Sequence, residues 1–164
     1  MWNEQIIMML LEGIKDTLYM TLTSTLIGYV IGLPMGILLT VTDKDGIHPN
    51  AAVYKVLDVI ANLIRSVPFL ILLIVLIPFT RFLIGRSYGP TATIVPLVIA
   101  AAPYIARMVE SSLKEVDAGV IEAARSMGAS NFTIVTKVML VEARTSLIVG
   151  ATISPVSYTH LRAH

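Results

Sequence analysis

The chain has no cysteine among its 164 residues, which excludes disulfides and thiolate metal sites. Charge is also scarce. Asp, Glu, Lys and Arg make up 14% of the residues, and 12 basic against 11 acidic side chains leave a formal net charge of +1. That balance gives no reason to expect a nucleic-acid partner, since phosphate binding draws on a surplus of basic side chains. The three histidines are His48, His160 and His164. His48 lies in a loop with no partner at metal-binding spacing, and no Ser-His-Asp constellation can be assembled, so no metal site and no catalytic residue are expected. A phosphate-cradling G-x-x-x-x-G-K-[ST] loop is missing as well, so any ATP hydrolysis has to reside in a partner.

What remains is apolar. The hydrophobic fraction is 55% and the mean hydropathy is +0.80, far from the profile of a soluble domain. The charges cluster and leave long neutral runs, so the expected fold class is an all-α polytopic membrane protein. Met1 to Asp16 carries Glu4, Glu12 and Asp16 against Lys15, whereas a cleaved secretory signal begins with a basic region. Ile6, Ile7, Leu10, Leu11 and Ile14 fall on one helical face. Residues 1–16 therefore read either as an amphipathic helix at the membrane surface or as an extended start to the first span.

Thr17 to Thr42 contains no charge and exceeds the roughly 20 apolar residues a bilayer core requires. Gly28, Gly32 and Gly36 recur on one face of it, which suits close approach of another helix; a lipid-facing helix is the alternative. Pro34 in the same run predicts a kink. Asp43 to Pro49 is rich in chain breakers, and Ala51 to Arg65 is a second amphipathic stretch. Leu63 to Ile84 is neutral apart from Arg65 and Arg81. A charge at mid-membrane costs roughly 3 kcal/mol, so both arginines are assigned to opposite interfaces with one span between them. Arg65 either anchors that span to lipid phosphates or orders a loop. Ser87 to Ala106 is a third neutral run, broken by Pro90, Pro96 and Pro103. Prolines in a span are tolerable where neighbouring helices or water take up the freed carbonyls. A fourth span starts after Arg144.

Between the third and fourth runs lies a polar island, Asp117 to Arg144. Asp117 is a candidate N-cap for a short helix beginning at Ala118, and Gly128 suits the left-handed position just past its end. Ser130 can cap a second helix running through Thr133, Val135 and Lys137. Positive charges give the orientation. Lys44, Lys55, Arg65, Arg107, Lys114, Arg125, Lys137 and Arg144 share one side of the three spans, while Lys15, Arg81 and Arg86 fall on the other. The island is thereby expected in the cytoplasm and the N-terminus outside.

The island contains Glu122-Ala123-Ala124, then Gly128, then Val138 and Leu140. This spacing resembles the cytoplasmic EAA loop of binding-protein-dependent ABC importer permeases, whose signature is E-A-A, three residues, G, nine residues, then I-x-L-P. Val138 stands for the isoleucine, and Val141 occupies the proline position, which would set the approach to the next span less sharply. The stretches IGLPMGILLTVT, RSVPFLILLIVLIPFTRFLIG and IVPLVIAAAPYIARMVESSLKEVDAGVIEAARSMGAS extend the resemblance, from Trp2 to Ile153, to permeases of the methionine-uptake type.

The resemblance implies a type I ABC importer permease fold and a homodimer in the bacterial inner membrane. It implies two cytoplasmic ABC ATPase subunits that bind ATP, and an extracytoplasmic methionine-binding lipoprotein. Glu122, Ala123, Ala124, Arg125 and Gly128 would belong to the ATPase-coupling loop, residues 109–137, within a permease domain at 17–153. The chain would have no cofactor of its own. Ser154 to His164 departs from an apolar helix and reads as a non-native tail, so about four of five transmembrane helices are expected. Other readings remain open: a permease for another amino acid or a quaternary-amine osmolyte, a secondary transporter, or a non-transporting scaffold.

Overall fold

The computed structural model describes residues 4–160, with side chains described for residues 4–152. Every regular element among them is helical. The first helix, α1, spans Glu4–Thr42 without a break. At 1.5 Å per residue its 39 residues make a rod longer than a bilayer core requires. Residues 4–16 are continuous with the first apolar run in one helix, and Pro34 is accommodated inside it.

After the turn at 43–49, the neutral run Leu63 to Ile84 is divided among three helices. Helix α2 (Ala51–Ser66) ends two residues before Pro68, α3 covers Phe69–Val75, and α4 covers Ile77–Ile84. α2 and α3 meet at 105°. The cause is local: the residue before a proline is pushed out of the helical region, and Val67 adopts φ −85°, ψ 126°. Pro78, in the first turn of α4, cannot donate a backbone hydrogen bond, so the helix is also interrupted at Leu76. Among the described residues only α1 and α5 are individually long and apolar enough to cross a membrane; α2 and α3 pass that test only as a bent pair.

Helix α5 (Pro90–Lys114) is the centre of the fold. Gly89, at φ +95°, turns the chain into it, and Pro90 opens its first turn, where a missing N–H costs nothing. Ile105, Val109 and Leu113 are among the most buried side chains, and α5 packs against α1, α2, α3, α4 and α9.

The contact of α1 with α5 is built on the glycine repeat. A methyl group on Gly28 would lie 3.0 Å from the Ala101 Cβ, one on Gly32 2.7 Å from the Ala102 carbonyl oxygen, and one on Gly36 2.5 Å from the Ala106 carbonyl oxygen. At Gly32 and Gly36 any side chain larger than hydrogen would have to push the two backbones apart. Lipid supplies no hydrophobic force between helices, so this close van der Waals fit is what joins them.

The chain then forms α6 (Ala118–Ser126), α7 (Asn131–Thr133), a π-helical run at Ile134–Met139, α8 (Leu140–Glu142) and α9 (Arg144–His160). The expected second helix of the island is therefore present but wider than an α-helix through its middle. The reading of 154–164 as a tail falls on residues whose side chains, and from 161 their backbone, lie outside the described residues.

Because overpacking a tight contact costs about 1–3 kcal/mol, Gly36→Leu and Gly32→Leu should lower the thermal unfolding temperature of the detergent-solubilised protein. A methyl group on Gly13, also in α1, would meet no atom within 4 Å, so Gly13→Ala should be neutral or stabilise by about 0.5–1 kcal/mol. Equal unfolding temperatures for all three variants would remove the seam as the joint between α1 and α5.

Candidate functional site

The polar island folds into an elbow. The Asp117 carboxylate accepts a hydrogen bond from the Gly119 N–H at 2.6 Å and so caps α6 as the sequence predicts. At the other end the Gly128 N–H donates to the Arg125 carbonyl (2.9 Å) and the Ala129 N–H to the Ala124 carbonyl (3.1 Å). These two bonds form a Schellman termination, and Gly128 supplies the left-handed backbone it needs, at φ +79°. Ser130 begins the return helix, its hydroxyl accepting from the Thr133 N–H at 3.3 Å.

The elbow is attached to the rest of the chain from its inner face. Ala124 is 4% exposed and joins Ile47, Leu113, Ile134 and Met139 in one core cluster. It therefore serves packing within the chain, and of the two alanines only Ala123 stays on the outer surface. The Arg125 guanidinium donates to the Ile47 carbonyl at 2.6 Å, tying α6 to the turn between α1 and α2. Glu122 is exposed and lines an open cleft of about 590 Å³ between α6 and that turn, together with Asp43, Lys44, Arg125 and Met139. Its carboxylate does not cap α6, a role Asp117 fills.

One feature of the outer face was not anticipated from the sequence. Met127 is 81% exposed and Phe132 78% exposed, on either side of the Gly128 turn. Large apolar side chains at the tip of a polar elbow suit a protein contact, where Met and aromatic residues are enriched. Their position within an otherwise charged segment was the available signal.

A second unanticipated feature is a charge cluster at the foot of the elbow. Glu110, on α5 and only 4% exposed, accepts from Arg107 at 2.7 Å and from Lys114 at 2.8 Å. Arg107 also pairs with Asp58 on α2 and donates to Asn62 at 3.1 Å. Lys114 also pairs with Asp43 at 2.6 Å, and this hydrogen bond holds the Asp43 carboxyl below its ordinary range despite the opposing effect of burial. Tyr54 donates to Glu110 at 3.4 Å. The spacing Arg107, Glu110, Lys114 places all three on one helix face, which the sequence does display; their partners on α2 and in the 43–49 turn come from remote positions. On the far side of α5, Ser112 and Ser146 share a hydrogen bond of 2.9 Å, linking α5 to α9.

The elbow is thus a projection capped at both ends and fastened near the foot of α5. Comparison with known proteins places the chain in a family. The family model described as "Binding-protein-dependent transport system inner membrane component" matches residues 7–157. The D-methionine transport system permease protein MetI of Salmonella typhimurium is 49% identical over 152 residues, covering 93% of this chain and 70% of that protein. MetI of Escherichia coli K12 has the same identity and coverage. The "Probable D-methionine transport system permease protein MetI" of Vibrio cholerae is 42% identical over 91% of this chain and 66% of that protein.

Among solved structures, an inward-facing MetNI methionine ABC transporter superposes with a TM-score of 0.94 at 47% identity, over 99% of this chain and 75% of that one. An amino acid ABC transporter shares the fold at TM-score 0.61 and 23% identity, over 99% of this chain and 74% of that one. With a capped elbow on an all-helical apolar frame and matches along nearly its whole length, the chain belongs to the binding-protein-dependent transport system inner membrane component family.

Proposed function

We propose that this chain is the membrane-spanning permease subunit of an ATP-driven methionine importer, and that the α6 elbow couples it to a separate ATPase. The observation that carries this reading is the two-sided construction of the elbow. Its inner face is held by Ala124 and by the Arg125–Ile47 bond. Its outer face, with Ala123, Met127 and Phe132, is uncovered, and Glu122 is exposed at the cleft beside it. A stiff attachment on one side and an apolar contact surface on the other are what a force-transmitting joint needs, since a soft joint would absorb the displacement.

In this mechanism the elbow faces the cytoplasm and the N-terminus lies outside. ATP bound by the partner closes the ATPase dimer, and the docked elbows of a permease homodimer carry that motion into α5 and the helices packed on it. Glu122 is available to pair with a basic group on the ATPase. An extracytoplasmic lipoprotein delivers methionine, and this chain performs no covalent chemistry. The methionine assignment rests on the likeness to D-methionine permeases at 49% identity.

In a full-length permease carrying this segment, Glu122→Lys and Gly128→Asp should each reduce uptake by about tenfold or more, the scale of a typical coupling energy, with membrane insertion unchanged. A Cβ at Gly128 meets no atom within 4 Å, so the defect would come from the strained positive φ and from the new charge on the docking face. Wild-type uptake in both variants would defeat the docking role. Separately, cysteines introduced at Ser126 or Ser130 should react with a membrane-impermeant reagent only from the cytoplasmic side; labelling from outside would reverse the orientation. Failure of the cognate lipoprotein to bind methionine would move the substrate to another amino acid.

A further inference from the structure

The charge cluster at the foot of α5 lies where three parts of the chain converge, and none of its members is on the docking face. Glu110 is the hub. Its two carboxylate oxygens are used by Arg107, Lys114 and Tyr54. Through Arg107 it reaches Asp58 and Asn62, one face of α2. Through Lys114 it reaches Asp43, at the start of the turn whose Ile47 carbonyl holds Arg125 of α6. A continuous path of hydrogen bonds and core contacts therefore runs from the elbow, through the 43–49 turn, to α5 and α2.

Packing alone gives α2 a weak hold. Only Ala61 of that helix is buried, and its other side chains are at most partly covered by this chain. What fixes α2 at a defined place against α5 is thus polar and directional. Glu110 is the buried member, and losing its charge would leave Arg107 and Lys114 without their shared partner, so the cluster favours the arrangement in which all its bonds are made. α2 in turn leads through the 105° bend into α3.

We propose that Glu110 is a positioning residue for energy coupling: it locks α2 and the α1–α2 turn to the foot of α5, so that displacement of the elbow moves α2 together with α5. This inference rests on the coupling role of α6. Without the lock, α5 would still follow the elbow while α2 lagged, and ATP would be consumed with less transport.

The test uses the assembled transporter, with a full-length permease carrying this segment, reconstituted in lipid vesicles. ATP hydrolysis and methionine uptake are measured together, and assembly is checked by size-exclusion chromatography. Glu110→Gln keeps the shape of the side chain and removes its charge. It should assemble and hydrolyse ATP near the wild-type rate, while the ATP consumed per methionine imported rises about tenfold, within the range of typical coupling energies. A merely structural role would lower assembled material, uptake and hydrolysis in parallel and leave that ratio unchanged, which would overturn the proposal.

If Glu110→Gln does not assemble, the triple variant Tyr54→Phe, Asp58→Ala, Asn62→Ala decides, because it removes the three α2 groups that bond to the cluster and leaves Glu110, Arg107 and Lys114 in place; an unchanged ratio there would likewise refute the lock. The two readings separate cleanly. An unchanged ratio in Glu110→Gln beside an inactive Gly128→Asp defeats only this inference, whereas normal uptake in Gly128→Asp defeats the coupling role itself.

Discussion

The close approach of α1 to α5 is the constraint on which the rest of this structure depends. In a hydrocarbon solvent, exclusion of apolar surface does not drive helices together, so the fit of one backbone against another has to do so. Gly28, Gly32 and Gly36 remove three side chains in register and let α1 lie against the Ala101, Ala102, Ile105, Ala106 and Val109 ridge of α5. Once α5 is fixed, the remaining elements are arranged around it: α2, α3 and α4 pack on it directly, as does α9.

The lower end of α5 changes character from apolar packing to charge. Above Arg107 the helix is buried through Ala101, Ala102 and Pro103. From Arg107 to Lys114 it carries the ion cluster that gathers Asp43, Tyr54, Asp58 and Asn62. This is the sequence of environments a membrane helix meets on leaving the bilayer core, where charges are tolerated. Directional polar bonds there allow α2, poorly buried by this chain, to keep a defined position.

Beyond that point the elbow combines two kinds of stiffness. Its own geometry is set by caps at both ends, the Asp117 carboxylate and the Schellman turn at Gly128. Its attachment is set by Ala124 in the core and by Arg125 on the Ile47 carbonyl. The return segment of the elbow passes through the π-helical run Ile134–Met139, against which α6 packs. Single π-turns inside helices recur at functional sites, and this one is followed by the short α8 and then α9.

Much of this was legible in the residues themselves. Capping by Asp117 and Ser130, the left-handed turn at Gly128 and the glycine face of α1 are local properties, and local backbone chemistry is written at the positions that use it. The E-A-A…G spacing likewise picked out the elbow. Other features could not be read that way. The neutral run Leu63 to Ile84 has the hydropathy of one span, and hydropathy is blind to the 105° bend before Pro68 and the helix break before Pro78. Ala123 and Ala124 are identical in the sequence, yet one faces out and the other is buried, because helix phase is set by what α6 packs on. Sequence alone therefore determined the helical, membrane-embedded class, the caps and the E-A-A motif. Tertiary structure alone decided the bend after α2, the burial of Ala124 and the convergence of Asp43, Asp58 and Glu110, since contacts between residues tens of positions apart exist only once α1, α2 and α5 are packed together.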